Sequence, residues 1–204
     1  MSGLHIKSDF IDYYDILNDE NSILTYNRFL SNCKQRGTAL KYLRSLGIRT
    51  LELKQVNQFF RGDGPLVVYT NPLGHNGNGK KIVSVDEALQ SYNNYMASHY
   101  YMNTNGLTIK YLQIGKRRFT LQFKKDEISL DKGKLISIQE LSPEYNRLIG
   151  LPIFSIDYIS NGQEMIATDF NEVENLSLLN MNYYLSSETI IAEIKDSLAV
   201  YNKY

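Results

Sequence analysis

The sequence predicts an α+β domain in which three to four helices pack on a mostly antiparallel or mixed sheet. Segments with strand character outnumber helical segments, and the two kinds do not alternate regularly along the chain. Two tight-turn signals, Gly115-Lys116 and Asn161-Gly162, each join a pair of strand-like segments as in an antiparallel hairpin. The 204 residues contain no repeat and no low-complexity linker, so we expect one domain over residues 1–204.

The N-terminal part of the chain is predicted to hold a strand followed by helices. Residues 4–7 have strand character, and Ser8 is a favourable N-cap for a helix whose apolar positions repeat at helical spacing through residue 17. Residues 37–46 are predicted to form a short basic helix. Gly47 is expected to end that helix because glycine tolerates the left-handed conformation found just beyond helix ends.

Strands are expected next at residues 50–53 and 65–70. Residues 71–81 are rich in Gly and Asn, which predicts a loop. Ser84 then begins a capping box with Glu87, and the apolar spacing after it predicts a helix that runs to about residue 99.

The remainder of the chain is predicted to be mostly strands, with one helix at the end. Ser186 or Ser187 is expected to cap that helix, because apolar side chains recur at helical spacing after it. The strands share alternating or continuous apolar character bounded by turn residues, and they are expected at residues 107–114, 118–124, 134–139, 153–159 and 164–168.

Composition excludes several classes of function. Lys plus Arg and Asp plus Glu both number 22, and this zero net charge argues against a dedicated duplex-DNA binder. The single cysteine, Cys33, excludes an internal disulfide and a cysteine-based metal site. The three histidines lack the spacing of a shared metal site, so we expect no metal, and the sequence specifies no cofactor.

The same sequence indicates a soluble protein of the cytoplasm. The N-terminus lacks the apolar region of a signal peptide, and no run of 18 apolar residues is long enough to span a membrane. Asn and Tyr are abundant and Trp is absent, a bias typical of AT-rich genomes such as those of many phages.

The stretch from Ser8 to Asp15 carries a specific motif, Ser-Asp-Phe-Ile-Asp-Tyr-Tyr-Asp, and Tyr26-Asn27-Arg28 follows shortly after it. This stretch resembles a group of uncharacterised phage and bacterial proteins that begin with S-D-F-x-D-Y-Y-D. Ile114-Gly115-Lys116 is compatible with that group, and so is the segment from Leu151-Pro152 through Asp169-Phe170-Asn171 to the final helix, although Glu172 stands where proline is expected. The resemblance implies phage origin and an infected bacterial host, and it brings no established activity.

The acidic side of the first predicted helix is a candidate ligand-binding surface. Asp9, Asp12 and Asp15 lie within two helical turns, where neighbouring carboxylates hold a divalent ion or shift each other's pKa for acid–base work. Tyr13 is a further candidate ligand contact, with a place in the apolar core beside Phe10 as the alternative. Arg28 is another: it can pair with the acidic side of the helix or bind a phosphate through two hydrogen bonds. The alternative is structural, because acids in a first helical turn stabilise the helix dipole.

The glycine-rich loop contains the spacing G-x-x-x-x-G-K from Gly74 to Lys80. A phosphate-binding P-loop requires Ser or Thr next and a helix at once, whereas Lys81 follows here and the helix signal comes only at Ser84. Two interpretations stay open: a flexible loop that closes on an anion through Lys80 and Lys81, or a plain surface loop.

A basic hairpin over residues 110–125 is a second candidate site. Lys116, Arg117 and Arg118 lie at its turn with aromatic residues interleaved, a pattern that can bind single-stranded nucleic acid. The alternative is a solvated sheet edge, with Phe119 and the residues alternating with it pointing into the core.

Together these observations predict a phage-encoded, non-virion protein that binds a host protein or a small nucleotide stoichiometrically. No recognised catalytic motif is present, which favours binding over catalysis. The alternatives are an enzyme acting on nucleotides or nucleic acid through Asp9, Asp12 and Asp15, and a nucleic-acid-binding accessory protein that uses the basic hairpin.

Overall fold

The computed structural model describes residues 7–8, 11–12, 36–71, 79–100, 107–124, 134–141, 153–160, 164–171, 181 and 184–201. Within them, three helices accompany antiparallel strands, which confirms the predicted α+β class. At the N-terminus, strand β1 (Lys7–Ser8) pairs antiparallel with strand β2 (Ile11–Asp12). The helix expected to begin after Ser8 is therefore wrong at residues 11–12, where cross-strand pairing replaces helical hydrogen bonds.

The first helix, α1, spans Arg36–Ser45 and agrees with the sequence prediction. Its buried side chains Ala39, Leu40 and Leu43 recur at helical spacing and lie on one side. Gly47 closes the helix just beyond its last residue, as expected: it has a φ of +81° and donates its N–H to the carbonyl of Arg44.

A small four-stranded sheet follows α1, with the strand order β3-β6-β4-β5 and antiparallel pairing throughout. One face of this sheet packs on a short helix, α2 (Val85–Ser91), through a compact apolar cluster that includes Leu66, Val68 and Ala97. The four strands are β3 (Lys54–Gln55), β4 (Leu66–Tyr69), β5 (Lys80–Val83) and β6 (Met96–His99).

Helix α2 begins as the capping box predicts, because the Ser84 hydroxyl accepts a hydrogen bond from the N–H of Glu87 at 3.2 Å. Its length was predicted wrongly: the helix ends at Ser91, and residues 96–99 form β6 instead. The apolar spacing continues past residue 91, but hydrogen bonds from β6 to β4 outweigh that local preference.

The expected strand at residues 50–53 is also wrong. Thr50 makes a single parallel bridge to Ala167, and Leu51 donates its N–H to the carbonyl of Ala167 at 3.0 Å. Regular pairing begins only at Lys54, where β3 meets β6.

The large sheet contains five antiparallel strands in the order β11-β10-β7-β8-β9. Its two predicted hairpins and the separate strand between them are confirmed. The first strand has the predicted bounds and the next three are each one residue longer, whereas the last begins one residue later and ends three residues later than predicted. The strands are β7 (Leu107–Ile114), β8 (Arg117–Lys124), β9 (Lys134–Glu140), β10 (Ile153–Ser160) and β11 (Met165–Asn171).

Each face of the large sheet carries its own apolar core. Helix α3 (Ser187–Tyr201) covers one face, and the Ser186 hydroxyl accepts the N–H of Thr189 at its start, as the sequence predicted. Helix α1 covers the other face through Leu40 and Leu43, against Phe154 and Phe170 among others.

Tyr158 packs against the α1 core, and burial raises its pKa from 10.0 to about 12. Because the fold favours the neutral phenol, its contribution to stability is complete below pH 10.0 and is lost as the pH rises toward about 12. When the absorbance of tyrosinate is followed as the pH is raised, Tyr158→Phe should therefore lack one ionisation step at high pH that the wild type shows.

Tyr184→Phe, which removes an exposed phenol, is the matched control and should retain that late step. A wild-type titration with no step near pH 12 that depends on Tyr158 would contradict the burial argument.

Candidate functional site

The inner face of the small sheet, opposite α2, presents a set of polar and apolar side chains. Tyr69 and Ser98 are buried on this face, and their hydroxyl oxygens lie 3.3 Å apart. Lys80 and Met96 are the register partners of Tyr69 on the strands to either side, so their side chains leave the same face. Met96 is 40% exposed, which makes it an available apolar contact.

Arg36, at the start of α1, connects this face with the edge of the large sheet. Its guanidinium lies 2.8 Å from the Asp169 carboxylate and donates to the Thr168 carbonyl, also at 2.8 Å. Its Cζ lies 5.3 Å from the centre of the Tyr69 ring, in cation–π contact. We call Arg36, Tyr69, Ser98 and Asp169 the sheet junction.

A second group of polar side chains lies beside the sheet junction on β7, β10 and β11. Lys110 is 1% exposed; its Nζ lies 2.5 Å from Asp157 Oδ1 and donates to the Ser155 hydroxyl at 2.9 Å. The Asn171 amide lies 3.5 Å from the same hydroxyl. We call Lys110, Ser155, Asp157 and Asn171 the polar row.

The polar row is continuous with the sheet junction because of strand register. Asp157 pairs with Lys110 on β7 and with Asp169 on β11, so the three residues lie side by side across the sheet. The two carboxylates, Asp157 and Asp169, therefore lie next to each other, with Lys110 on one side of them and Arg36 on the other.

Tyr69 remains a neutral phenol in this setting. Burial raises the pKa of Tyr69, and the positive charge of Arg36 offsets part of that increase. The Tyr69 hydroxyl therefore keeps its proton at neutral pH, and it forms a hydrogen bond with the Ser98 hydroxyl.

Most ligand-binding residues predicted from the acidic motif lie outside the described residues: Asp9, Tyr13, Asp15 and Arg28. Asp12 lies in β2, so its backbone is extended rather than helical. A role for these residues stays a prediction.

Lys80 and Lys81 lie in β5, so the loop expected over residues 71–81 is wrong at its C-terminal end; residues 72–78 lie outside the described residues. Strand alternation directs the two lysines to opposite faces. Lys81 donates to the Tyr92 hydroxyl at 2.8 Å on the α2 side, and this bond raises the pKa of Lys81. Of the two lysines, Lys80 is the one that shares the inner face with Tyr69.

The basic hairpin has its cations in three different environments. Lys116 is exposed, Arg117 makes two hydrogen bonds of 2.7 Å to Glu140, and Arg118 is buried. The hydrogen bonds from Arg117 lower the pKa of Glu140. Phe119 and the apolar residues alternating with it are buried, which confirms their predicted place in the core.

Sequence reasoning did not assign Lys110 and Asp157 to a common site, although a signal was present. Each is a charged residue inside a strand whose neighbours are largely apolar, and a buried charge requires an opposite partner. Arg36 gave no such signal, because it follows Lys34 and Gln35 in a polar stretch of the sequence rather than lying among apolar residues.

Two further findings concern the described residues. They contain no group of three His, Cys, Asp or Glu side chains placed to hold a metal ion. None of their helices combines the length and apolar character that crossing a membrane requires.

No protein-family model matches the chain, and no curated protein matches it. Several solved structures align with the chain. D-alanine–D-alanine ligase from Bacillus anthracis complexed with ATP aligns with a TM-score of 0.51 and 13% identity, over 84% of this chain and 68% of the ligase. The biotin carboxylase–β,γ-ATP complex from Campylobacter jejuni aligns with a TM-score of 0.56 and 11% identity, over 88% of this chain and 52% of the carboxylase.

A third match is the biotin carboxylase domain of 2-oxoglutarate carboxylase from Hydrogenobacter thermophilus, in complex with MgADP, ADP and bicarbonate. It aligns with a TM-score of 0.53 and 10% identity, over 90% of this chain and 51% of that one. The chain thus spans between about half and two thirds of these proteins. At such identities the likeness establishes the fold alone, an α+β fold that resembles ATP-grasp structures.

Proposed function

We propose that this chain binds an adenine nucleotide where its two sheets meet. The observation that carries the proposal is the fold likeness: 84–90% of the chain aligns with three structures that hold ATP, ADP or a β,γ-ATP ligand. A small nucleotide is one of the two partners that the sequence predicted. The host-protein partner and the phage origin stay predictions.

The chemistry of the inner face supports this ligand. Nucleotide sites combine apolar area for the base with a few polar or charged groups that fix the phosphates. Met96 supplies exposed apolar area, and the ammonium group of Lys80 supplies a positive charge on the same face. Tyr69 lies on this face and also belongs to the sheet junction. Its contact with Arg36 brings the inner face next to the charged side chains of the large sheet.

A titration of the purified chain with ATP by isothermal calorimetry tests the proposal. Wild type is expected to bind ATP, and Lys80→Ala is expected to weaken binding by about tenfold to a hundredfold, the effect of losing one charge-assisted hydrogen bond. Lys81→Ala is the matched control. It removes the same charge one residue away, on the face that packs against Tyr92, so the affinity for ATP should not change.

Absence of ATP binding by a folded wild-type chain would overturn the proposal. Equal weakening by both lysine variants would leave nucleotide binding in place, and it would show that general electrostatic attraction, rather than a site on the inner face, accounts for the affinity.

A further inference from the structure

Three side chains with oxygen donors lie close together on β10 and β11. Strand register places Asp157 directly beside Asp169, and Asn171 follows two residues further along β11, on the same face as Asp169. The exposed fractions of the two acidic side chains are 17% for Asp157 and 24% for Asp169, so both can be reached from solvent. We call Asp157, Asp169 and Asn171 the oxygen cluster.

The oxygen cluster fits a divalent cation. One structural neighbour is a complex that contains the magnesium salt of ADP. Proteins hold Mg²⁺ through one or two carboxylates while the ion keeps several water molecules. Asp157 and Asp169 are two such carboxylates on adjacent strands. The amide nitrogen of Asn171 lies toward the Ser155 hydroxyl, at 3.5 Å, and its amide oxygen is the third donor. This set is sufficient for a magnesium or manganese ion.

Asp157 already has a counter-ion that belongs to the chain. The ammonium nitrogen of Lys110 lies 2.5 Å from Asp157 Oδ1, and the Lys110 side chain is only 1% exposed. A divalent cation bound to Asp157 would lie close to this buried positive charge, where like charges repel each other strongly because little water separates them. Lys110 and a metal ion therefore compete for the same carboxylate.

Lys110 is the cation that can move away. Its ammonium group also donates to the Ser155 hydroxyl at 2.9 Å, and the flexible lysine stem allows it to leave Asp157 while it keeps that hydrogen bond. Arg36 is held more firmly, because its guanidinium contacts a carboxylate and a backbone carbonyl of β11 and also the ring of Tyr69.

We infer that Lys110 and a divalent cation are alternative counter-ions of Asp157. The metal binds to the oxygen cluster as Lys110 moves from Asp157 toward Ser155, so Lys110 sets the affinity of the cluster for the metal. The inference concerns the metal and a charge of the chain itself. It goes beyond the proposed function and does not depend on nucleotide binding.

A Mn²⁺ titration of the chain without nucleotide, followed by electron paramagnetic resonance, measures this competition. Wild type is expected to bind weakly, because the metal must displace Lys110. Lys110→Met removes the competitor and leaves the oxygen cluster in place, so the dissociation constant for Mn²⁺ should fall by at least about tenfold. Lys124→Met is the matched control. It removes an exposed positive charge from β8 of the same sheet and should change the constant by less than about twofold.

A second substitution locates the bound metal. In the Lys110→Met background, Asn171→Ala removes one oxygen ligand and no charge, and it should weaken Mn²⁺ binding by about tenfold. General electrostatic attraction would not respond to this change. If Lys110→Met does not fold, Lys110→Gln provides the same comparison, since glutamine is neutral and can still form a hydrogen bond with Ser155.

A dissociation constant that is unchanged or raised in the folded Lys110 variant would overturn the inference, because Lys110 would then not compete with the metal. Absence of a saturable Mn²⁺ site in that variant, or binding that Asn171→Ala leaves unchanged, would overturn it as well. None of these results bears on ATP binding, which calorimetry tests separately. Conversely, a wild type that fails to bind ATP would leave the competition between Lys110 and the metal intact.

Discussion

Asp157→Asn is expected to lower the free energy of unfolding by about 3–5 kcal/mol, the range found when one partner of a buried ion pair is removed. Lys110 is 1% exposed, so the variant would leave its charge inside the sheet with the Ser155 hydroxyl in place of a carboxylate. The desolvation of the ammonium group would then be poorly compensated. Urea denaturation of wild type and variant at the same pH measures the difference.

Two further variants show whether the loss comes from the unpaired charge. The double variant Lys110→Met/Asp157→Leu removes both charges and should recover most of the loss, because apolar replacement of a whole buried pair is often close to neutral. Glu164→Gln breaks the exposed pair with Arg49 and should change stability by less than about 1 kcal/mol. A loss for Asp157→Asn no larger than that of Glu164→Gln would contradict the role assigned to the pair.

Features that depend on a few neighbouring residues could be predicted from the sequence. The end of α1 at Gly47, the start of α2 at Ser84 and the β10–β11 hairpin each follow from local backbone chemistry. The expectations that were wrong concern segments in which the local apolar pattern favours one structure and hydrogen bonds to a strand distant in sequence favour another. Residues 96–99 continue a helical apolar spacing, yet they form β6 because β4 offers a full set of hydrogen bonds.

The candidate site was harder to predict for the same physical reason. Lys110 and Asp157 carried a sequence signal, since charges inside apolar strands imply burial with a partner, but nothing local indicates which partner. Arg36 meets Asp169 only after α1 packs on the large sheet. Lys80 and Lys81 are adjacent residues of the same type, so the sequence does not distinguish their roles. Once they are known to lie in a strand, alternation places their side chains on opposite faces of the sheet.

Gly115→Ala is expected to be the second strongly destabilising change, by about 2–4 kcal/mol. Gly115 lies in the β7–β8 turn with a φ of +58°, a conformation that costs about 1 kcal/mol for a residue with a side chain. The turn also touches the backbone of α3: an added Cβ would overlap the carbonyl group of Glu193. Neither group can rotate away, so the turn or the helix must move.

Gly47→Ala separates the two contributions, because Gly47 has a φ of +81° but nothing within 4 Å of an added Cβ. Only the backbone cost of about 1 kcal/mol should appear in its urea denaturation. The excess loss in Gly115→Ala then measures the contact between the turn and α3, where Lys116 also donates its N–H to the Glu193 carboxylate at 3.0 Å. Equal losses in the two variants would mean that α3 shifts freely on the large sheet, and the close approach would then contribute little to holding the helix in place.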